Sequence, residues 1–317
     1  YDTVSGILTA LGVPVALLTS HQALLSYPAG RAAFPAPKTV AAARRAVREA
    51  IASGEVPVAI GTQALLAEKV GFSNLNLVVV DEQHRFGVRQ RQALRQVNTD
   101  HVPHFLSLTA TPIPRSYALA LYGDLDVSII KHLPPGRKPI KTRLVDITKR
   151  ADAYKFMREQ IKSGRQAFVI CPLIEESDEV APGSVEQKSV VAEAERLQQE
   201  IFPDLKIGLL HGKMPAKEKD KAMADFAANK THILVATSVV EVGVNIPNAS
   251  VMVIEGADRF GLAQLHQFRG RVGRSVHQSY CLLFTESKSV KSRERLQYFE
   301  STLDGFALAE YDLEQRG

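Results

Sequence analysis

Short apolar runs of about four to seven residues alternate with helix-length amphipathic stretches through almost the whole chain. No other feature constrains the fold as much, because strands joined by helical crossovers assemble as parallel sheets with helices packed on their faces. In the first half, strands are expected at Val13–Leu18, Val56–Ile60, Leu75–Val80, His104–Leu108 and Asp126–Ile130. Helices are expected near Thr39–Ser53, Val88–Gln96 and Ile113–Leu121. The stretch LPPGRKP, Leu133–Pro139, breaks both periods, since Pro and Gly suit neither element, and reads as a linker. A second set follows, with strands near Lys141–Asp146, Ala167–Cys171, Ile207–Leu210, His232–Ala236, Val251–Glu255 and Tyr280–Phe284. Its helices fall near Ala151–Ser163, Ser189–Ile201, Lys217–Ala228 and Gly261–Phe268, and the polar stretch Glu175–Gln187 reads as a loop. The expected organisation is one α/β domain over residues 1–132, a linker at 133–140, a second domain over 141–289 and a helical extension over 290–317.

A length of 317 residues accommodates two domains, and a hydrophobic content of 45% supplies their cores. No apolar run approaches the ~18 residues of a membrane span, and Tyr1–Thr9 lacks the pattern of a secretory signal. Cys171 and Cys281 are too few for a zinc centre. They read as small core hydrophobes in a reducing compartment, which places the protein in the cytoplasm. The net charge of +5 suits a nucleic-acid partner without excluding others.

The run Leu77–Val80 is unbroken, as in a central parallel strand covered on both faces, and it ends in Asp81-Glu82. Ligands of open α/β sheets bind beyond the carboxyl ends of strands. Paired carboxylates there suit a magnesium-bound nucleotide, with Asp81 holding the metal through water and Glu82 orienting or deprotonating the attacking water. The competing reading is a helix N-cap with an acidic first turn. Gln83 and His84 follow, and no further His or Cys stands at metal-ligand spacing. They read as a polar bridge to Thr109-Ala-Thr111, whose alternative is a plain strand-to-helix turn ending at Pro112.

The string QFRGRVGR, Gln267–Arg274, sets Arg271 and Arg274 three apart, with glycines at 270 and 273 that allow close backbone approach. Guanidinium forks bind phosphate oxygens bidentately and stay charged, so this pair suits a γ-phosphate in the transition state. A basic loop gripping nucleic acid, or a solvated helix end, would carry the same residues. With the acids in one domain and the arginines in the other, ATP is expected in the cleft between them, whose closure and opening would drive stepping along a strand.

Asp81–His84, Thr109–Thr111, Thr237–Pro247 and Gln267–Arg274 resemble, in order, motifs II, III, V and VI of superfamily 2 helicases. More narrowly, DEQHRFGVRQR (Asp81–Arg91), TATPIPRSYALALYGDLDVSII (Thr109–Ile130), LPPGR (Leu133–Arg137), ADRFGLAQLHQFRGRVGR (Ala257–Arg274) and FALAEYDLEQRG (Phe306–Gly317) resemble RecG-type DNA helicases. The transcription-repair coupling translocase shares TATPIP and FGLAQLHQ, whereas YGDLDVSIIKHLPPGR sides with RecG.

The resemblance implies two RecA-like domains and ATP-dependent remodelling of branched DNA, such as stalled forks and Holliday junctions, by a monomeric motor that uses ATP and Mg2+. It implies magnesium and water-activating roles for Asp81 and Glu82, and γ-phosphate sensing by Gln267, Arg271 and Arg274. Coupling falls to Gln83, His84, Thr109 and Thr111, and nucleotide contacts to Gly243 and Asn245. DNA-backbone contacts fall to Gly61, Thr62, His211, Gly212, Lys213 and Thr237. Asn245 stands where motif V usually carries Asp, which keeps an acceptor and loses a charge.

Nowhere in the 317 residues is there a G-x-x-x-x-G-K-[ST] loop. The first domain is therefore expected to be incomplete, lacking the P-loop strand, with an exposed sheet edge or a displaced strand as the result. The chain reads as a motor fragment that does not hydrolyse ATP alone, with a non-hydrolysing DNA-binding module as the alternative use of its basic surface. In the family the P-loop and a fork-splitting wedge lie upstream of Tyr1, and a translocation-coupling element follows Gly317.

Overall fold

Helix α1 (Asp2–Ala10) leads into β1 (Val15–Leu18), which pairs antiparallel with β2 (Ala23–Ser26). Helix α2 (Val40–Ala52), capped by Thr39 Oγ1 accepting from the Ala42 amide at 3.2 Å, crosses over to β3 (Val58–Gly61). Strand β3 lies parallel to β1 on its other side, giving the order β2-β1-β3. The computed structural model describes residues 1–29, 39–67, 70–82, 102–109, 126–130, 134–172, 184–241 and 246–316. It divides the chain into two units, residues 1–109 and 110–317.

In the first unit Ala16 and Leu18 of β1 pack with Val47, Ala50 and Ile51 of α2 and with Val56 and Val70. The short helix α3 (Ala64–Ala67) follows, and then β4 (Leu77–Asp81) and β5 (His104–Leu108), which pair with each other in parallel and with no other described strand. Among the described residues the apolar run at 77–80 is therefore not covered on both faces. Val78 and Val80 are buried, but Leu77, Val79, Leu106 and Leu108 stay exposed. Without a strand or helix over that side, the second face of the pair has nothing to pack against among the described residues. The strand expected at Asp126–Ile130 does not form either. Those residues are exposed, with no neighbouring strand among the described residues to take up their backbone hydrogen bonds.

The second unit carries β6 (Lys141–Val145), α4 (Arg150–Lys162), β7 (Gln166–Ile170), α5 (Ser184–Arg196), β8 (Ile207–Leu210), α6 (Ala216–Ala227) and β9 (Ile233–Ala236). It continues through β10 (Ala249–Ile254), α7 (Leu262–Arg269), β11 (Tyr280–Phe284), α8 (Val290–Ser301) and α9 (Gly305–Arg316). Six strands form one all-parallel sheet in the order β6-β11-β10-β7-β9-β8. Because side chains alternate along a strand, each strand feeds two cores. Phe168, Ile170, Leu234, Met252, Ile254 and Leu283 point to the side covered by Phe226, Leu265, Phe268, Leu296, Phe299 and Leu308. Ala167, Val169, Ile233, Val235, Val253 and Phe284 point to the side covered by Tyr154, Met157, Ile161, Val190, Leu197 and Phe202. Cys171 and Cys281 are free and buried, as small core residues. Among the described residues no helix is long and apolar enough to cross a membrane.

Candidate functional site

In the first unit, parallel pairing sets Asp81 opposite Leu108, so the ends of β4 and β5 meet with Thr109 just beyond. The Glu82 amide donates to the Leu108 carbonyl at 2.9 Å, which extends the pairing of β4 with β5 by one residue. Asp81 is exposed and Glu82 half-buried. Glu82 adopts φ 52°, a left-handed conformation unfavourable for a side chain with a Cβ. Such strain persists where the surrounding structure over-determines it, and it clusters at functional sites. Gln83, His84 and Thr111 lie outside the described residues.

Gly61 and Thr62 close β3. The Thr62 amide donates to the Leu18 carbonyl at 3.3 Å, and the Leu65 amide to the Thr62 carbonyl at 3.1 Å, so this turn is tied to β1 and opens α3. A Cβ on Gly61 would stand 2.2 Å from the Leu18 carbonyl oxygen, so only glycine fits.

In the second unit β8 and β9 are neighbours with Leu210 opposite Ala236, and the next residues, His211 and Thr237, sit side by side at the sheet's carboxyl end. The Thr237 amide donates to the Leu210 carbonyl at 3.2 Å. Both side chains are buried, yet His211 Nδ1 and Thr237 Oγ1 have no hydrogen-bond partner among the described residues. Buried polar atoms without partners are rare in native proteins, and two on adjacent strand ends fit a polar ligand such as a phosphate. Gly212 and Lys213 follow in an exposed turn closed by the Met214 amide donating to the His211 carbonyl at 3.2 Å. Gly243 and Asn245 lie outside the described residues.

Helix α7 ends in the arginine string. Gln267 and Arg274 are partly buried and Arg271 is buried, on a turn that needs glycine at 273, where φ is 76°. Arg274 Nε donates to the Gly270 carbonyl at 3.2 Å. Burial, then the neighbouring guanidiniums of Arg271 and Arg137, hold Arg274 below the usual arginine value. Arg137 thus stands beside this pair, although the sequence gives it no site role, only a place in a linker and in the LPPGR string. Its signal was the Pro-Pro-Gly turn that fixes it.

Arg269 has a different job. It is buried, its guanidinium donates to the carbonyls of Phe299 at 3.1 Å and Thr302 at 2.9 Å, and it lies 4.1 Å over the Phe299 ring. It clamps α8 onto α7. Beside it, burial and the Arg269 charge push His266 down to about 4. At the carboxyl end of β10, burial pushes Glu255 up to about 7 against the pull of its ion-pair partner Arg150. Glu255 also lines a cavity of roughly 370 Å³ with Arg150, Glu193, Arg196 and Glu286.

The class these features define is the motor core of superfamily 2 helicases. The DEAD/DEAH box helicase family matches residues 27–119, and the helicase conserved C-terminal domain matches residues 148–276. Within that class the chain is similar to RecG-type DNA helicases over most of its length. It is 50% identical over 279 residues to the ATP-dependent DNA helicase RecG of Synechocystis sp., covering 88% of this chain and 33% of that protein. It is 48% identical to the RecG of Thermotoga maritima, again over 88% of this chain and 35% of the relative. A structure of RecG bound to a three-way DNA junction superposes with a TM-score of 0.74 at 41% identity, over 98% of this chain and 37% of that one. The helicase MrfA bound to DNA and AMPPNP shares the fold at 19% identity, with a TM-score of 0.61 over 95% of this chain and 42% of that one. The chain thus spans about a third of the length of the curated relatives it matches.

Proposed function

We propose that these residues are the motor of a cytoplasmic ATP-dependent DNA helicase that remodels branched DNA, at stalled forks and Holliday junctions, in recombination and repair. The observation that supports it best is the identity of 50% with a RecG helicase across 88% of the chain, within which Asp81 ends strand β4 and Glu82 follows it in a left-handed conformation. ATP would supply a phosphoanhydride whose hydrolysis drives the motor, with Mg2+ shielding its phosphate charge. Asp81, exposed at the strand end, would hold the magnesium through water. Glu82 would accept the proton of the attacking water. Gln267, Arg271 and Arg274 would sense and stabilise the γ-phosphate, while Gln83, His84, Thr109 and Thr111 would link hydrolysis to movement.

The linker falls in residues 133–140, with an α/β domain on each side. His211, Lys213 and Thr237, with Gly61-Thr62 in the first unit, would meet DNA phosphates, contacts that carry no sequence information. The unsatisfied Nδ1 of His211 and Oγ1 of Thr237 favour that assignment over an ordinary turn.

The test is Glu82→Gln in the full-length protein. DNA-stimulated ATP hydrolysis should fall by about 10²-fold or more while ATP still binds, as expected for loss of a positioned general base. Turnover equal to that of the parent would refute the carboxylate assignment.

A further inference from the structure

Building on the nucleotide assignment above, we propose that Arg137 is a third phosphate-binding arginine, acting beside Arg274 on the terminal phosphate of ATP. The segment around it is tightly placed. The Arg137 amide donates to the Pro134 carbonyl at 3.2 Å, closing the turn. Gly136, at φ 82°, sits where a Cβ would stand 3.6 Å from Val276. On the other side, the Pro139 carbonyl accepts from Gln278 Nε2 at 2.7 Å, and the Lys141 amide donates to the Ser279 carbonyl at 3.0 Å. Ile140 lies 2.9 Å from where a Gly273 Cβ would be, and the Gly273 amide donates to Ser279 Oγ at 3.0 Å. Residues 136 to 141 are thus laced to the loop that begins at Arg271 and ends at β11, with Arg137 held at its rim.

What Arg137 lacks is an acid. Several other arginines of this unit find carboxylates: Arg143 pairs with Glu300, Arg158 with Asp204 and Arg293 with Asp146. The exposed Arg137 side chain makes no ion pair or hydrogen bond among the described residues, and its guanidinium neighbour is Arg274. Gathering like charges is unfavourable unless an anion joins them. A dense, multiply charged oxyanion is the ligand that guanidinium forks bind best. The terminal phosphate of ATP and a DNA phosphate share that chemistry. Because Arg137 adjoins Arg274 of the string already assigned to the nucleotide, ATP is the source we choose.

The experiment compares Arg137→Ala, Arg137→Lys and Glu82→Gln in the full-length protein. Equilibrium binding of fluorescent ATP and ADP is measured without turnover, with DNA binding followed against salt. Arg137→Ala should weaken ATP binding by about tenfold to a hundredfold, the range for losing a hydrogen bond to a charged group. ADP binding should change by less than about threefold. Arg137→Lys should recover part of the loss, because charge returns without the fork. The KM for ATP should rise in parallel, and the salt slope of DNA binding should not move. Unchanged ATP affinity in Arg137→Ala overturns the proposal. So does intact ATP affinity with a DNA salt slope shallower by about one, which would make Arg137 a DNA-phosphate contact. Full hydrolysis by Glu82→Gln would instead overturn the nucleotide assignment beneath it, whatever Arg137→Ala does.

Discussion

Replacing Arg269 by alanine should undock α8 and α9 from the arginine-bearing helix without touching a proposed ligand contact. The buried guanidinium donates to the Phe299 and Thr302 carbonyls and covers the Phe299 ring at 4.1 Å. A hydrogen bond from a charged donor contributes roughly 1.5–3 kcal/mol, and removing the donor strands two carbonyls that helix α8 cannot satisfy at its own end. Allowing for partial relaxation, the loss comes to about 4 kcal/mol. For a unit of this size each kcal/mol moves the melting temperature by about 2–4 °C, so the second unit should melt on the order of 10 °C lower. Arg269→Lys, which keeps the charge but loses the planar group over the Phe299 ring and the second nitrogen's contact with His266 Nδ1, should recover less than half. The assay is thermal unfolding of the 317-residue chain by circular dichroism, with urea titration as a check. A melting temperature within about 2 °C of the parent would show that Arg269 is not a clamp.

Further outcomes follow from the packing and from buried titrating groups. Gly61→Ala forces a Cβ to 2.2 Å from the Leu18 carbonyl and 2.7 Å from Leu65, so the first unit should lose about 2 kcal/mol or more in urea unfolding; a neutral result would contradict the close approach. Glu255, raised from 4.5 to about 7, stabilises the fold below pH 4.5 and loses that contribution as pH rises through 7. His266, lowered from 6.5 to about 4, stabilises above pH 6.5 and loses its contribution as pH falls through 4. Each is worth on the order of 3 kcal/mol, so the two largely cancel between those limits. Urea midpoints should therefore fall on acidification in Glu255→Gln and rise in His266→Gln; parallel profiles would show that one burial assignment is wrong.

The second unit was the more legible half. Its strands announce themselves as runs such as Ala167–Ile170, Ile233–Ala236 and Val251–Ile254, apolar at every position because helices cover both faces. The same signature at Leu77–Val80 misled, because apolarity records a residue's tolerance for burial and not the presence of a covering layer. Asp126–Ile130 failed for a related reason, since β-branched residues alone supply no neighbouring strand. Strand β2 was missed because ALLS is too short to show alternation, and α1 because its sequence, with Gly6 and two threonines, is a weak helix former. Within the candidate site, QFRGRVGR told the reader that arginines matter but not which ones. Arg269, Arg271 and Arg274 differ in the turn that aims them, and Arg269 alone faces the carbonyls at the end of α8. Arg137 was invisible as a neighbour, since it stands more than a hundred positions upstream of Arg274.

Given the role proposed for Glu82, its backbone would leave that one residue under two opposed selections. Variation filtered only for a sturdier first unit would drift there toward glycine or asparagine, which tolerate that geometry. Variation filtered for a working enzyme would keep returning to glutamate. In any collection of thermally hardened versions of this chain, this is the position to protect by hand.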